Sequence, residues 1–258
     1  QPFRMKKTLL LIFIMSSELL FAQKDTLTST VYNFKNLAKI EDENRISTSI
    51  IKPKSTKFLE SLRMHHTTLK PGHQLRPSHI QETDEELIMV QEGKLTVTIN
   101  KETKELGPGS VIVILPGDDQ MMNNFGKTNA SYYVLIYKSK KSRHGLEKGK
   151  SQMLDWNETV FKAHDKGGRK DFFNRPTGTL DRLEMHVTFL NEGLKSHEPH
   201  KHLAEEIILM IDGDATMSVD DKVFQGGKGD LFYLPSGSFH GIQNTGKGQA
   251  SYFAFQFN

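Results

Sequence analysis

The chain contains the same pattern twice. Residues 62–72 (Leu62 to Gly72) match residues 183–193 (Leu183 to Gly193), and residues 85–93 match residues 205–213. Further along, Gly109, Gly117, Asn124 and Gly126 fall opposite Gly229, Gly237, Asn244 and Gly246. The copies close on residues 131–137 and 251–257. An offset of about 120 residues that persists through four blocks in order means two copies of one domain, so whatever one copy folds into, the other folds into as well.

Each copy reads as strands. Runs such as residues 95–99, 111–115, 231–234 and 252–255 are short, rich in β-branched and aromatic residues, and bounded by Gly, Asp, Asn and Pro. Several short alternating strands per copy predict an all-β chain in which each copy is a small barrel or sandwich. The expected layout is an N-terminal arm over 23–57, a first barrel over 58–140, a linker over 141–179 and a second barrel over 180–258. In the linker, Trp156, Phe161, Phe172 and Phe173 call for burial, and the stretch from Trp156 to Phe173 is expected to pack on the second barrel.

Ahead of the arm, Lys6 and Lys7 precede the apolar run Leu9 to Met15, and Ala22 stands near the end of a second short apolar stretch. This order describes an export signal over residues 1–22 and places the protein in the periplasm or outside the cell. The apolar run is far shorter than the roughly 20 residues of a membrane-spanning helix, and no stable membrane anchor is expected. Loss of Arg4, Lys6, Lys7 and Glu18 with the signal lowers the formal charge from +3 to +1. Such a balance gives no electrostatic case for nucleic acid. The chain has 0 Cys, which excludes disulfides, thiolate ligands and a Cys nucleophile.

The chemistry concentrates in the second copy. In a strand, residues two apart project to one face, so His200 and His202 can both enter a barrel interior. Glu206 adds an anionic oxygen, and His240 arrives from far along the chain. Three imidazoles and a carboxylate suit one divalent transition metal and leave coordination positions open for water or substrate. Mn, Fe, Zn, Ni and Cu are not distinguished by this donor set. His197 and Glu198 read as surface residues beside it.

At these residues the chain resembles the cupin superfamily. Its first motif corresponds to His200, His202, Glu206 and Gly213, and its second to Gly229, Pro235, Gly237, His240 and Asn244. One departure is Gly193, which precedes His200 by one residue more than the motif has. The resemblance implies an all-β chain of two tandem cupin barrels of the jelly-roll (double-stranded β-helix) type, a bicupin, and the metal chemistry of that superfamily.

The repeat offset places His79 opposite His200, Gln81 opposite His202, Glu86 opposite Glu206 and Gln120 opposite His240. Two imidazoles are replaced by amides, which are weak neutral ligands, so the first barrel is expected to be a packing partner or a ligand-binding scaffold with a degenerate metal site. His65 and His186 recur at one position in both copies, which reads as structural. Two-barrel cupins of the oxalate decarboxylase kind carry complete sites in both halves. The two-barrel aminohydrolases acting on ureidoglycine also place one site in the second barrel, but with a Glu-x-His pattern that this chain lacks.

Two functions remain open at this point. One is a metal-dependent enzyme, of isomerase, lyase or dioxygenase type, acting on a small oxygen-rich organic molecule, with Glu206 doubling as a proton-transfer group. The other is a non-catalytic module that binds a small ligand or a metal. Paired barrels supply their own packing partner, so either a monomer or a homodimer is compatible with the sequence.

Overall fold

The computed structural model describes residues 26–141 and 149–258. The expected export signal, 1–22, lies outside the described residues. Two single-turn 3-10 helices, Phe34–Asn36 and Trp156–Glu158, are the helical elements among them; the regular structure is otherwise strand. No helix there is long and apolar enough to cross a membrane.

Each copy packs a large antiparallel sheet over a small one. From edge to edge, the large sheet of the first copy runs Gln152–Leu154, Val111–Ile114, Glu85–Glu92, Ala130–Ser139, Leu59–Leu69, Arg45–Lys54 and Lys39–Glu41. In the second copy the order is Thr30–Tyr32, Leu231–Leu234, Glu205–Asp212, Ala250–Phe257, Leu183–Leu190, Gly167–Arg175 and Phe161–His164. The small sheets are built around Leu95–Ile99 and Ala215–Val219, with Asp119–Asn123 and His240–Asn244 as their equivalent neighbours.

The segments expected as arm and linker are therefore strands of these sheets, and they cross over. Thr30–Tyr32 pairs with Leu231–Tyr233 of the second barrel, while Gln152–Leu154 pairs with Val111–Val113 of the first. The crossing is fastened at equivalent points. Asp230 accepts hydrogen bonds from Phe34 N (2.8 Å) and Asn33 Nδ2 (3.1 Å), and Ser110 Oγ accepts from Trp156 N (3.1 Å). Trp156 consequently bridges the halves, lying over Gly109 of the first copy and near Phe172 and Phe189 of the second. The expectation that this stretch packs on the second barrel captures only one side of it.

The large sheets pack face to face, which buries both of their faces. In Glu205–Asp212, Ile207 and Leu209 join the core between the barrels, while Ile208 and Met210 join the interior of the second barrel. Leu87 and Met89, against Ile88 and Val90, divide the same way in the first. Strands buried on both faces lose the polar half of their alternation, which is why they read as nearly continuous apolar runs.

The paired acids that begin these strands obey this parity. Glu206 points into its barrel, and Glu205 points at the other one. There, Glu205 accepts from Thr56 Oγ1 (2.6 Å) and Lys57 N (2.7 Å), joining the second barrel to the strand entry of the first. Glu85, wholly buried, faces Thr177 and Thr179 in reciprocal fashion. Burial outweighs these bonds and raises the pKa of both carboxyls. Glu205→Ala would leave the buried Thr56 hydroxyl and the part-buried Lys57 amide without their acceptor, at a cost of about 1–3 kcal/mol. Urea unfolding should show that loss; an unchanged midpoint would mean that the bonds across the barrels contribute nothing.

Candidate metal centre

Main-chain pairing brings the four side chains together. His200 and His240 form an antiparallel bridge, each N–H donating to the other's carbonyl at 2.9 and 2.8 Å. Gly237 donates from its N–H to His202 O at 2.9 Å, within a turn closed by Ser238 N to Pro235 O. Gly237 has φ +80°, a conformation that side chains with a Cβ rarely adopt, so the turn that delivers His240 depends on it. Glu206 lies on the inward parity, between Leu234 and Gln256 on the adjoining strands.

The ring centroids of His200, His202 and His240 are 4.8–5.3 Å apart, and one ring nitrogen from each falls within 4.8 Å of the others. Glu206 Oε2 lies 3.1 Å from His202 Nε2 and 3.3 Å from His240 Nε2. Their Nδ1 atoms face backbone carbonyls, Ala204 O at 3.0 Å and Ser238 O at 2.9 Å. Since a carbonyl only accepts, each Nδ1 carries the proton, and in the neutral ring the Nε2 lone pair faces the carboxylate. Two lone pairs aimed at an anion repel it unless a positive charge sits between them. A proton on Nε2 or a cation meets that need. His200 Nδ1 and His240 Nε2 are buried without a well-formed hydrogen bond, so the residues fit a metal ion. An ion bound at about 2.1 Å holds its nitrogens about 3–4 Å apart, a modest contraction from this arrangement.

The electrostatics agree. Burial alone would raise the Glu206 carboxyl, but His202 and His240 outweigh it and hold its pKa at about 2. Burial opposes charge on His240, yet the Glu206 contact prevails and raises its pKa. His200 is lowered by burial and then by the neighbouring imidazoles.

The site opens into a cavity of about 260 Å³ whose walls include His186, Ser196, Tyr252 and Gln256. At the same place, the first barrel holds about 30 Å³. The difference is side-chain volume: Leu75, Met121, Val134 and Ile136 stand where the second copy has Ser196, Gly241, Ala254 and Gln256. Of the degenerate set, Gln81 Nε2 donates to Glu86 Oε1 at 2.7 Å, and Gln120 is fully buried opposite His79. The Arg76 guanidinium donates to His79 Nε2, placing a fixed positive charge at its edge.

The motif residue Asn244 is structural. Its amide donates to Leu190 O and Gly248 O and accepts from Gly246 N, and Asn124 makes the same three bonds in the first copy. His197 is exposed, its ring perpendicular to that of His200 with the centroids 4.2 Å apart. Sequence reasoning missed Gln256, whose Nε2 donates to Glu206 Oε2 at 3.3 Å. An inward-facing Gln where the other copy has Ile136 was the available signal.

A cupin domain profile matches residues 65–137 and 186–255. Among solved structures, protein YlbA from E. coli superposes with a TM-score of 0.71 at 17% identity, covering 94% of this chain and 97% of that one. A putative glyoxylate-induced protein from Pseudomonas aeruginosa gives 0.74 at 15%, covering 91% and 90%. A variant of oxalate decarboxylase from Bacillus subtilis gives 0.69 at 14%, covering 90% and 78%. At these identities the likeness is one of fold. A search of the curated proteins finds no match.

The Glu206 contact is the reason His240 is raised, so its removal should reverse the direction. In metal-free protein followed by NMR, His240 should titrate above the ordinary histidine value. In Glu206→Gln it should titrate below that value, with burial left unopposed. Identical titrations in the two proteins would show that the carboxylate does not govern this imidazole.

Proposed function

The chain belongs to the cupin family, with two cupin domains in tandem, and we propose that its second barrel holds one divalent transition metal, through His200, His202, Glu206 and His240, and acts there on a small oxygen-rich organic molecule. The observation that carries this reading is the convergence of His202 and His240 lone pairs on the Glu206 carboxylate, with both Nδ1 protons committed to backbone carbonyls. Such outer hydrogen bonds fix the tautomer and aim of a metal-binding imidazole. When bound, the ion supplies Lewis-acid polarisation of a ligand oxygen.

The remaining roles belong to the chain. His200 completes the imidazole set, and Gln256 steadies Glu206 through its amide N–H. The cavity of about 260 Å³ is smaller than the roughly 300–1,000 Å³ of pockets for drug-sized ligands, which favours a compact substrate. The shared fold with an oxalate decarboxylase supports a small oxygen-rich molecule as a class, without choosing a particular one. The first barrel serves as a scaffold, since its interior is filled and, of the positions matching the three-histidine set, only His79 keeps an imidazole. The basic patch and apolar run of residues 1–22 support action outside the cytoplasm.

Elemental analysis of protein purified without added metal tests the assignment. About one divalent ion per chain is expected, lost in the double variant His200→Ala, His202→Ala and retained in His79→Ala. Metal-free wild-type protein that also refuses added ions would contradict it, as would equal loss from the His79 change.

A further inference from the structure

The cavity holds a second polar group set that the metal assignment does not use. His186 lines it and is 8% exposed. Its Nδ1 lies 3.3 Å from Glu184 Oε1 and has no closer partner. Glu184 is itself fixed: Arg169 Nη2 donates to Oε1 at 2.8 Å, and Arg182 donates to Oε2. The His186 contact lowers the Glu184 pKa, burial opposes it, Arg169 and Arg182 reinforce it, and the carboxyl stays ionised with a pKa of about 2. The cluster reaches the other set as well. Gln256 Oε1 accepts from Arg182 Nη1 at 3.1 Å while its Nε2 donates to Glu206.

The first copy shows what a merely structural histidine looks like at this position. His65 stands in place of His186, but Arg63 takes the place of Glu184, Ser61 that of Arg182 and Ile136 that of Gln256. Burial and then the Arg63 charge hold the His65 pKa down at about 4. A carboxylate behind the imidazole is therefore present only in the barrel that keeps the three-histidine set. Reading His65 and His186 as one repeated structural feature overlooks this difference two residues upstream.

We propose that His186, oriented by Glu184, is the catalytic base and acid of the second barrel, acting on a small carbon acid such as a 2-hydroxy ketone or 2-oxo acid. An ionised Glu184 facing Nδ1 favours the Nδ1–H tautomer and leaves the Nε2 lone pair for the cavity. In the step, a C–H bond beside the carbonyl breaks and its proton passes to His186 Nε2. The electron pair moves onto the carbonyl oxygen as an enolate. Return of the proton to the same or the neighbouring carbon closes the cycle, with no oxidant or reductant required. The assignment rests on the metal reading for polarisation of that carbonyl, but its residues are distinct from the ligands.

Two measurements test it. Histidine ¹⁵N NMR, assigned with His186→Gln, should find the His186 proton on Nδ1 in wild-type protein and a changed tautomer balance in Glu184→Gln. Ion-bearing protein in D₂O, given dihydroxyacetone or pyruvate, should incorporate deuterium at carbon. His186→Gln should lose that exchange by about 100-fold or more, with its ion content unchanged. An Nε2–H tautomer, exchange at the wild-type rate in His186→Gln, or no exchange of either probe by ion-bearing wild-type protein would overturn the base assignment and leave the metal reading standing. Loss of the ion in His186→Gln would instead make it a positioning residue for the centre, also against the proposal.

Discussion

The burial of both faces of the two large sheets is the constraint from which the rest follows. Where a sheet is covered on one side only, a polar residue has a solvent face to occupy. Here the sheets cover each other outside and their own small sheets inside, so the first six side chains of Glu85–Glu92 and of Glu205–Asp212 are all buried in one interior or the other. A carboxylate there needs a partner. Glu205 finds one across the interface in Thr56 and Lys57, and Glu206, one residue on, finds its partners in imidazoles inside the barrel. A single-residue slip in register would exchange them, sending Glu206 to the interface and Glu205 into the cavity.

The two copies have diverged inside the barrels while keeping the framework. Both retain the Asn that ties down the loop after its strand, the same crossing of an edge strand to the opposite barrel, and equivalent bridges, His79 to Gln120 and His200 to His240. Inside, the first copy carries four larger side chains and a guanidinium beside His79, while the second has an open cavity with ionised groups on its walls. Ala254 and Gly241 leave the room beside the three histidines that Val134 and Met121 fill in the first barrel.

Much of this was visible in the residues. The repeat and the all-β class follow from the sequence pattern, and strand parity puts His200 and His202 on one face; that His240 joins them with Glu206 was implied by the two motifs of the resemblance. The exchange of edge strands was not visible, since Thr30–Tyr32 and Gln152–Leu154 are three residues long and nothing within them specifies that the first pairs with Leu231–Tyr233 and the second with Val111–Val113. Gln256 and Glu184 were in plain sight as departures from Ile136 and Arg63. They escape a search for metal ligands because their role depends on cross-strand neighbours, Gln256 beside Glu206 and Glu184 beside Gln256, which only the register reveals.

The central claim is that one barrel of two holds a cation on three imidazoles and a carboxylate. Crystals of the protein as purified, measured at the absorption edge of whichever ion it carries, test this most directly. The account predicts a single anomalous peak about 2.0–2.2 Å from nitrogens of His200, His202 and His240 and from the Glu206 carboxylate. A peak between His79 and Glu86 in the first barrel would contradict it, as would a second barrel whose His240 turns away from the other two rings.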